Sequence, residues 1–335
     1  MSTTPEVDAL SEILRAVKLD SAFYFNAEFS APWMVLSPES CNMFPHLSLG
    51  STHLIIFHLV TEGRAYVRVK QEHQIELMAG DIVAIPHGDA HTVGNGSSSQ
   101  ATAPDELLDH LLTKGLKVAK YGGGGEVTSV VCGYLACEPR LCKFFLGSLP
   151  PLIKINIRGD SSGQWLENSI RYSVNQALSP DAGNRAVLAK LSEALFVETI
   201  RRYLQGLPVG ETGWLAGVRD AEVGKALALL HHAPELAWTI AGLAKEVGVS
   251  RSTLAERFRH FLGEPPMSYL NHWRLQLGAR MLGETSRGVA DIAAEVGYES
   301  EASFNRAFKR RFGVPPGRYR QDSKREHAAA KSSAL

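Results

Sequence analysis

The sequence predicts a multidomain chain: an all-β barrel or sandwich in front, a pair of helices in the middle and an all-α C-terminal third. Three observations predict it. Between Leu54 and Ile157 the residues form short β-branched runs broken by turn pairs. From Gln164 to Gln205 apolar residues recur every three or four positions. The C-terminal third contains an internal duplication. The 335 residues suffice for two or more domains. With 44% hydrophobic and 21% charged residues the composition is globular, which excludes disorder of the whole chain.

In the front part, HLIIFHLV, RAYVRV, HQIEL and DIVAIP are the strand candidates. They are punctuated by Glu62-Gly63, Ala79-Gly80 and His87-Gly88. Asn95–Pro104 and Tyr121–Gly125 have loop compositions. The GGGG run lacks the Gly-Lys-Ser/Thr ending of a phosphate loop and precedes a strand-like run, so it is not read as one. Trp165, Ile170, Val174 and Leu178 mark one helix; Val187, Leu188, Leu191, Leu195, Phe196 and Ile200 mark a second. Gly206–Gly217 reads as a linker.

The net charge of zero is a cancellation. Residues 219–325 carry 17 Lys+Arg against 12 Asp+Glu, whereas residues 1–218 carry 17 against 22. A basic C-terminal third beside an acidic front points to a nucleic-acid partner for that third alone. No run approaches the ~18 apolar residues of a membrane span. The N-terminus lacks the basic start and apolar block of a signal peptide, so a cytoplasmic chain without a membrane partner is expected.

The duplication lays Thr239–Tyr269 over Gly288–Tyr319. Glu246-Val247-Gly248 matches Glu295-Val296-Gly297, and Gly263-x-Pro265-Pro266-x-x-Tyr269 matches Gly313-x-Pro315-Pro316-x-x-Tyr319. Each copy is laid out as a helix-turn-helix. A short helix stops near a glycine, and Ser250 or Ser300 stands as N-cap. The second helix has an apolar stripe: Leu254, Phe258, Phe261 and Leu262 in one copy, Phe304, Phe308 and Phe312 in the other. Proline pairs stop both, and Met267–Leu282 reads as one amphipathic helix between the units.

These residues, above all GYESEASFNRAFKRRFGVPPGRYR, resemble the DNA-binding domain of AraC/XylS-type transcription regulators across residues 219–321. The resemblance implies two reading helices entering successive major grooves of double-stranded DNA, ~34 Å apart. It puts base-facing positions at Ser252, Ala255 and Glu256 in the first helix and at Glu301, Ser303, Asn305 and Arg306 in the second. Arg306 suits guanine, Asn305 adenine and Glu256 the amino group of cytosine. Arg251, Arg259, Lys309 and Arg310 are placed for phosphates, and Thr253 shares the first reading helix.

In the front domain, Gly80-Asp81-Ile82-Val83-Ala84-Ile85-Pro86-His87-Gly88-Asp89-Ala90-His91-Thr92-Val93-Gly94-Asn95 resembles the second cupin motif at every fixed position. Of the first motif only His58-x3-Glu62 is present; Ile56 stands where its first histidine belongs. The departure argues against a metal-dependent cupin enzyme fused to a DNA-binding module, the alternative function. The whole N-terminal region resembles the cupin-like sensor domain found ahead of this DNA-binding domain.

His87, His91, Cys132 and Cys137 make up the donor set of a tetrahedral zinc site, if the strand after the glycine loop runs beside His91. The same residues could form a redox switch without metal, or the cysteines could be small core side chains. His58 is the candidate effector-pocket residue.

The expected division is a cupin-like sensor at 1–160 and a helical pair with linker at 161–217, which could pair two chains into a homodimer. A double helix-turn-helix domain follows at 218–321, with a disordered tail at 322–335. The expected function is a sequence-specific DNA-binding transcription regulator whose front domain senses a small-molecule effector, a metal or an oxidant.

Overall fold

The computed structural model describes residues 8–16, 19–40, 53–70, 73–96, 119–137, 146–147, 149–176, 183–208 and 210–332. A short helix, α1 (Ala9–Ala16), leads into β1 (Leu19–Ser30) and β2 (Trp33–Ser37). The four strands read from sequence follow as β3 (His53–Glu62), β4 (Arg64–Val69), β5 (Ile75–Met78) and β6 (Asp81–Ile85), and β7 (His91–Asn95) comes after them. Then come β8 (Ala119–Gly122), β9 (Val127–Cys137) and β10 (Ile153–Asn156). Two sheets result, six-stranded in the order β10-β6-β3-β9-β1-β8 and four-stranded in the order β2-β7-β4-β5. The pairing is antiparallel apart from β1 with β8.

The run HLIIFHLV is nearly continuous because β3 is covered on both faces. Leu54, Ile56 and Val60 point into the domain interior, against Val67, Val83, Val93 and Val130. Ile55, Phe57 and Leu59 point the other way, into a second core. The Phe57 ring lies over Gly133, its partner on β9, where a side chain at Gly133 would collide with it.

That second core is covered by the helical pair, α2 (Ser161–Gln176) and α3 (Asn184–Gly206). Ile170, Val174, Leu195, Phe196 and Ile200 are buried there, as the period of three to four required. A salt-bridged cluster fastens the pair, with Arg158 on Glu167 and Arg202 shared between Asp160 and Glu198.

The C-terminal third comprises α4 (Trp214–Arg219), α5 (Ala221–His232), α6 (Ile240–Val247), α7 (Arg251–Leu262), α8 (Pro266–Glu284), α9 (Val289–Glu295), α10 (Glu301–Phe312) and α11 (Pro316–Ser332). The capping follows the sequence. Ser250 Oγ accepts from Thr253 N–H and Ser300 Oγ from Ser303 N–H. Gly263 and Gly313 close the reading helices with φ of 74° and 79°. Pro266 and Pro316 also start the helices that follow, where a missing N–H costs nothing.

Two expectations need correction. Residues 322–332 belong to α11 instead of a disordered tail; RQDSKREHAAAKS is rich in good helix formers and continues a helix already begun at Pro316. The second concerns Gly206–Gly217, read as a linker, whose last residues are helical. Trp214 and Leu215 are buried in α4, which opens the DNA-binding domain. Asn95–Pro104 lies outside the described residues beyond Gly96.

Candidate functional site

The duplication folds as two matched units on one rod. The 19 residues of α8 span about 28 Å at 1.5 Å per residue. Its first half gives Tyr269, Leu270 and Trp273 to the core of the first unit, with Leu243, Leu254 and Phe258. Its second half gives Leu275, Ala279 and Leu282 to the second unit, with Ile292, Phe304 and Phe308. Each reading helix is seated by its apolar stripe, so its opposite face is turned outwards.

On α7, Arg251, Ser252, Thr253, Glu256 and Arg259 are exposed and Ala255 is half-buried. On α10, Glu301, Arg306, Lys309 and Arg310 are exposed while Ser303 and Asn305 are half-buried. Local bonds orient several of these. Ser250 Oγ lies 2.8 Å from Thr253 Oγ1, and Ser303 Oγ donates to the Ser300 carbonyl at 2.7 Å. Asn305 Nδ2 donates to Glu301 Oε1 at 3.4 Å. Arg257, on the same helix as Arg259, is used internally, paired with Asp220 and with Glu222 at 3.0 Å. The outward face is therefore polar and basic, as a surface that meets phosphates and base edges must be.

Inside the β domain the structure assembles a different group from the one expected. His58 on β3 and Cys132 on β9 are direct cross-strand partners, and both side chains enter the interior between the sheets. His58 Nδ1 is 2.5 Å from Cys132 Sγ, and His58 Nε2 is 2.7 Å from His91 Nε2, which reaches across from the four-stranded sheet. His91 Nδ1 faces the Asp89 carbonyl at 2.8 Å.

That carbonyl can only accept, so His91 carries its proton on Nδ1 and offers a lone pair at Nε2. His58 must then donate from Nε2 and accept at Nδ1, where the Cys132 thiol donates. One directional chain, S–H to N, N–H to N and N–H to O=C, satisfies every member with all three groups neutral. Burial enforces that state. It lowers the His58 pKa well below its usual value, lowers that of His91 to about 4 and raises that of the Cys132 thiol.

The four-donor zinc site does not assemble. His87 Nε2 instead bonds to the Leu149 carbonyl at 3.0 Å. Cys137 lies five residues along β9 from Cys132, about 16 Å at strand rise, opposite His53 instead of His58. Nor do the three inner groups fit one ion. They lie in a row, with His58 spending one nitrogen on each neighbour, and the imidazole nitrogens sit at hydrogen-bond distance. Among the described residues no group of three or more His, Cys, Asp or Glu is arranged to hold a metal ion. Cys41 and Cys142 lie outside the described residues.

With both sites in view, the comparisons with known proteins are decisive. Residues 8–205 match the cupin family and residues 243–322 a helix-turn-helix domain family. An AraC-like transcription regulator of Streptomyces lividans is 30% identical over 318 residues, covering 94% of this chain and 98% of its own length. The chain belongs to the AraC-type transcription regulators. This AraC-type regulator is also similar to the HTH-type transcriptional regulator AlkR of Acinetobacter baylyi, at 27% identity over 95% of this chain and 100% of that one. Among solved structures, the DNA-binding domain of AdpA in complex with a target DNA shares 24% identity and covers 32% of this chain and 98% of its own (TM-score 0.31).

The regulator is therefore a DNA-binding protein with an N-terminal cupin domain and a C-terminal helix-turn-helix domain. None of its described helices is long and apolar enough to cross a membrane. Sequence reasoning put His91 and Cys132 in one donor set with His87 and Cys137, kept His58 apart as a pocket residue, and missed that His58, His91 and Cys132 form one chain. The signal was the strand parity: His58 falls two residues after Ile56 and two before Val60, on the inward side.

Proposed function

We propose that the cupin domain receives a chemical signal and passes it to the DNA-binding helices by moving the first helix-turn-helix unit. The observation that supports this is the apolar core the two halves share. It runs from Ile55, Phe57 and Leu135 on the outer face of the six-stranded sheet, through α2, α3 and α1, into Trp214, Val223, Leu227, Leu243, Leu254, Phe258 and Trp273. Helix α1 is the shortest bridge. Its Ile13 is fully buried against the DNA-binding half, α1 packs on α5, and Glu12 lies 3.8 Å from His232.

On DNA, Glu256, Asn305 and Arg306 would address base edges from the major groove. Ser252, Ala255, Glu301 and Ser303 would line the same groove. Arg251, Thr253, Arg259, Lys309 and Arg310 would hold the backbone. A second copy of the chain is the proposed partner of the helical pair, where Trp165 and Tyr172 stand two turns apart on α2, 64% and 68% exposed.

The test is Ile13→Asp in the full chain, with affinity for a selected operator read by fluorescence anisotropy. Coupling of ordinary size predicts a change of about 5- to 150-fold with an unaltered salt slope. Unchanged affinity would mean the cupin domain has no hold on DNA binding.

A further inference from the structure

We propose that Cys132 is a modification site for a small, uncharged oxidant of the hydroperoxide class, with His58 as its proton acceptor and His91 as the positioning residue. The inference deepens the sensor reading above by naming the chemistry at the cupin interior. Three observations carry it. The first is the order of the groups: nucleophile, base, and a second group that fixes the base's tautomer and orientation. That is the geometry by which a weak nucleophile is activated.

The second is their setting. Cys132, His58 and His91 are 1%, 4% and 1% exposed inside a core otherwise made of Val, Ile, Leu and aromatic side chains. An interior of this kind gains little stability from three polar groups over apolar side chains of the same shape. The third is the absence of charge at rest. A dry site disfavours a free thiolate, so the reaction that fits begins and ends neutral, with the proton moving as the bond forms.

The step balances. Cys132 Sγ attacks one oxygen of the peroxide, an S–O bond forms and the O–O bond breaks. His58 Nδ1 takes the thiol proton and returns it to the departing oxygen. With hydrogen peroxide, thiol and peroxide become sulfenic acid and water; sulfur is oxidised and the peroxide is reduced. During transfer the extra proton on His58 is supported through Nε2–H by His91, whose own N–H is held by the Asp89 carbonyl. The product has one more heavy atom in a filled interior and no S–H bond to His58. It must push on β3 and β9, and β9 is paired along its length with β1, which α1 precedes.

The experiment treats the full-length regulator with hydrogen peroxide, traps sulfenic acid with dimedone and maps the adduct by peptide mass spectrometry. His58→Gln, His91→Gln and Cys132→Ser are run beside it, and cooperative unfolding of each variant is checked first. The expected result is an adduct at Cys132 forming about a hundredfold faster in the wild type than in His58→Gln, the loss of a positioned base. The pH dependence of that rate should flatten in His58→Gln.

Labelling of Cys132 no faster than in His58→Gln overturns the proposal. So does a stoichiometric metal ion in the purified protein that is lost in Cys132→Ser, which would make the chain a metal site. Operator affinity is measured on the same samples. An adduct that leaves affinity unchanged supports the site and overturns the sensor reading; no adduct, with Ile13→Asp still altering affinity, overturns the site alone.

Discussion

Replacing Tyr269 by Phe removes one oxygen atom from the core of the first helix-turn-helix unit, where α4, α5 and α8 meet. The structure shows what that atom does. Trp214 Nε1–H donates to Tyr269 Oη at 2.8 Å, and the same hydroxyl donates to His231 Nε2, also at 2.8 Å. Tyr269 and His231 are 2% and 5% exposed, and burial holds His231 neutral by lowering its pKa to about 3. The ring's contacts survive the substitution, including the edge-on approach to Phe258 at 6.2 Å. The change therefore isolates two hydrogen bonds.

Both partners, an indole N–H and an imidazole lone pair, are left in a dry interior. At ~1–3 kcal/mol for each unsatisfied group, the expected loss is about 2–6 kcal/mol. Urea unfolding followed by tryptophan fluorescence reads it, because two of the five tryptophans report on this site: Trp214 donates to the hydroxyl and Trp273 stacks on His231 at 4.4 Å. Trp214→Phe and the double variant complete a cycle, in which the pair should couple by at least ~0.5 kcal/mol. A loss below ~0.5 kcal/mol for Tyr269→Phe would refute the argument that this hydroxyl holds α4 and α5 to α8.

The other predictions concern DNA, pH and capping. Arg306→Ala should cost ~1–3 kcal/mol of operator affinity and relax base preference at one position, whereas Lys309→Ala should weaken all sequences alike and lower the salt slope by about one. Anisotropy titrations on an operator and its single-base variants separate the two, and equal losses of preference would overturn the assignment. His58, His91 and His231 all have pKa values below the usual one in the folded chain, those of His91 and His231 at about 4 and about 3. The unfolded chain therefore binds more protons below pH ~6.5, and stability should fall as pH drops from 7 to 5. The slope is at most ~1.4 kcal/mol per unit for each histidine; urea midpoints that stay level or rise on acidification would show that these imidazoles are not held neutral. Ser300→Ala removes the acceptor of Ser303 N–H and should destabilise the second unit by ~1 kcal/mol, seen as earlier unfolding in urea; an unshifted midpoint would mean water replaces the cap.

The C-terminal domain was legible because its information is local and repeated. Cap serines, stop glycines, proline pairs and phenylalanine stripes each specify a turn or a face within a few residues, and the duplication let one copy check the other. The inner strands were legible for the same reason, as runs with turns between them. The N-terminal elements were missed: LDSAFYFNAEFS in β1 mixes polar and apolar residues without clean alternation, and its place is set by β9, more than 90 residues away. The interior site depended on the same kind of information. Which cysteine stands opposite which histidine is a matter of register. Sequence spacing paired Cys132 with Cys137 and His91 with His87, while the register pairs Cys132 with His58 and leaves Cys137 opposite His53.

The division of cores between the two reading units bears on how a signal could act. The first unit shares its core with the cupin domain through Trp214, Leu227, Leu243, Phe258 and Trp273, whereas Ile292, Phe304, Phe308 and Tyr319 close a separate core around the second half of α8. A change in the cupin domain therefore presses on α5, α6 and α7 first, and reaches α10 only through the rod between them. A continuous helix transmits orientation well, so a small tilt of the first unit becomes a displacement of α10 across the ~28 Å of α8. Two helices that must enter successive grooves on one face of DNA tolerate little of that. Under the proposed sensor reading, the arrangement favours control by alignment: each unit would stay folded and able to touch DNA, and a signal would decide whether both can do so at once.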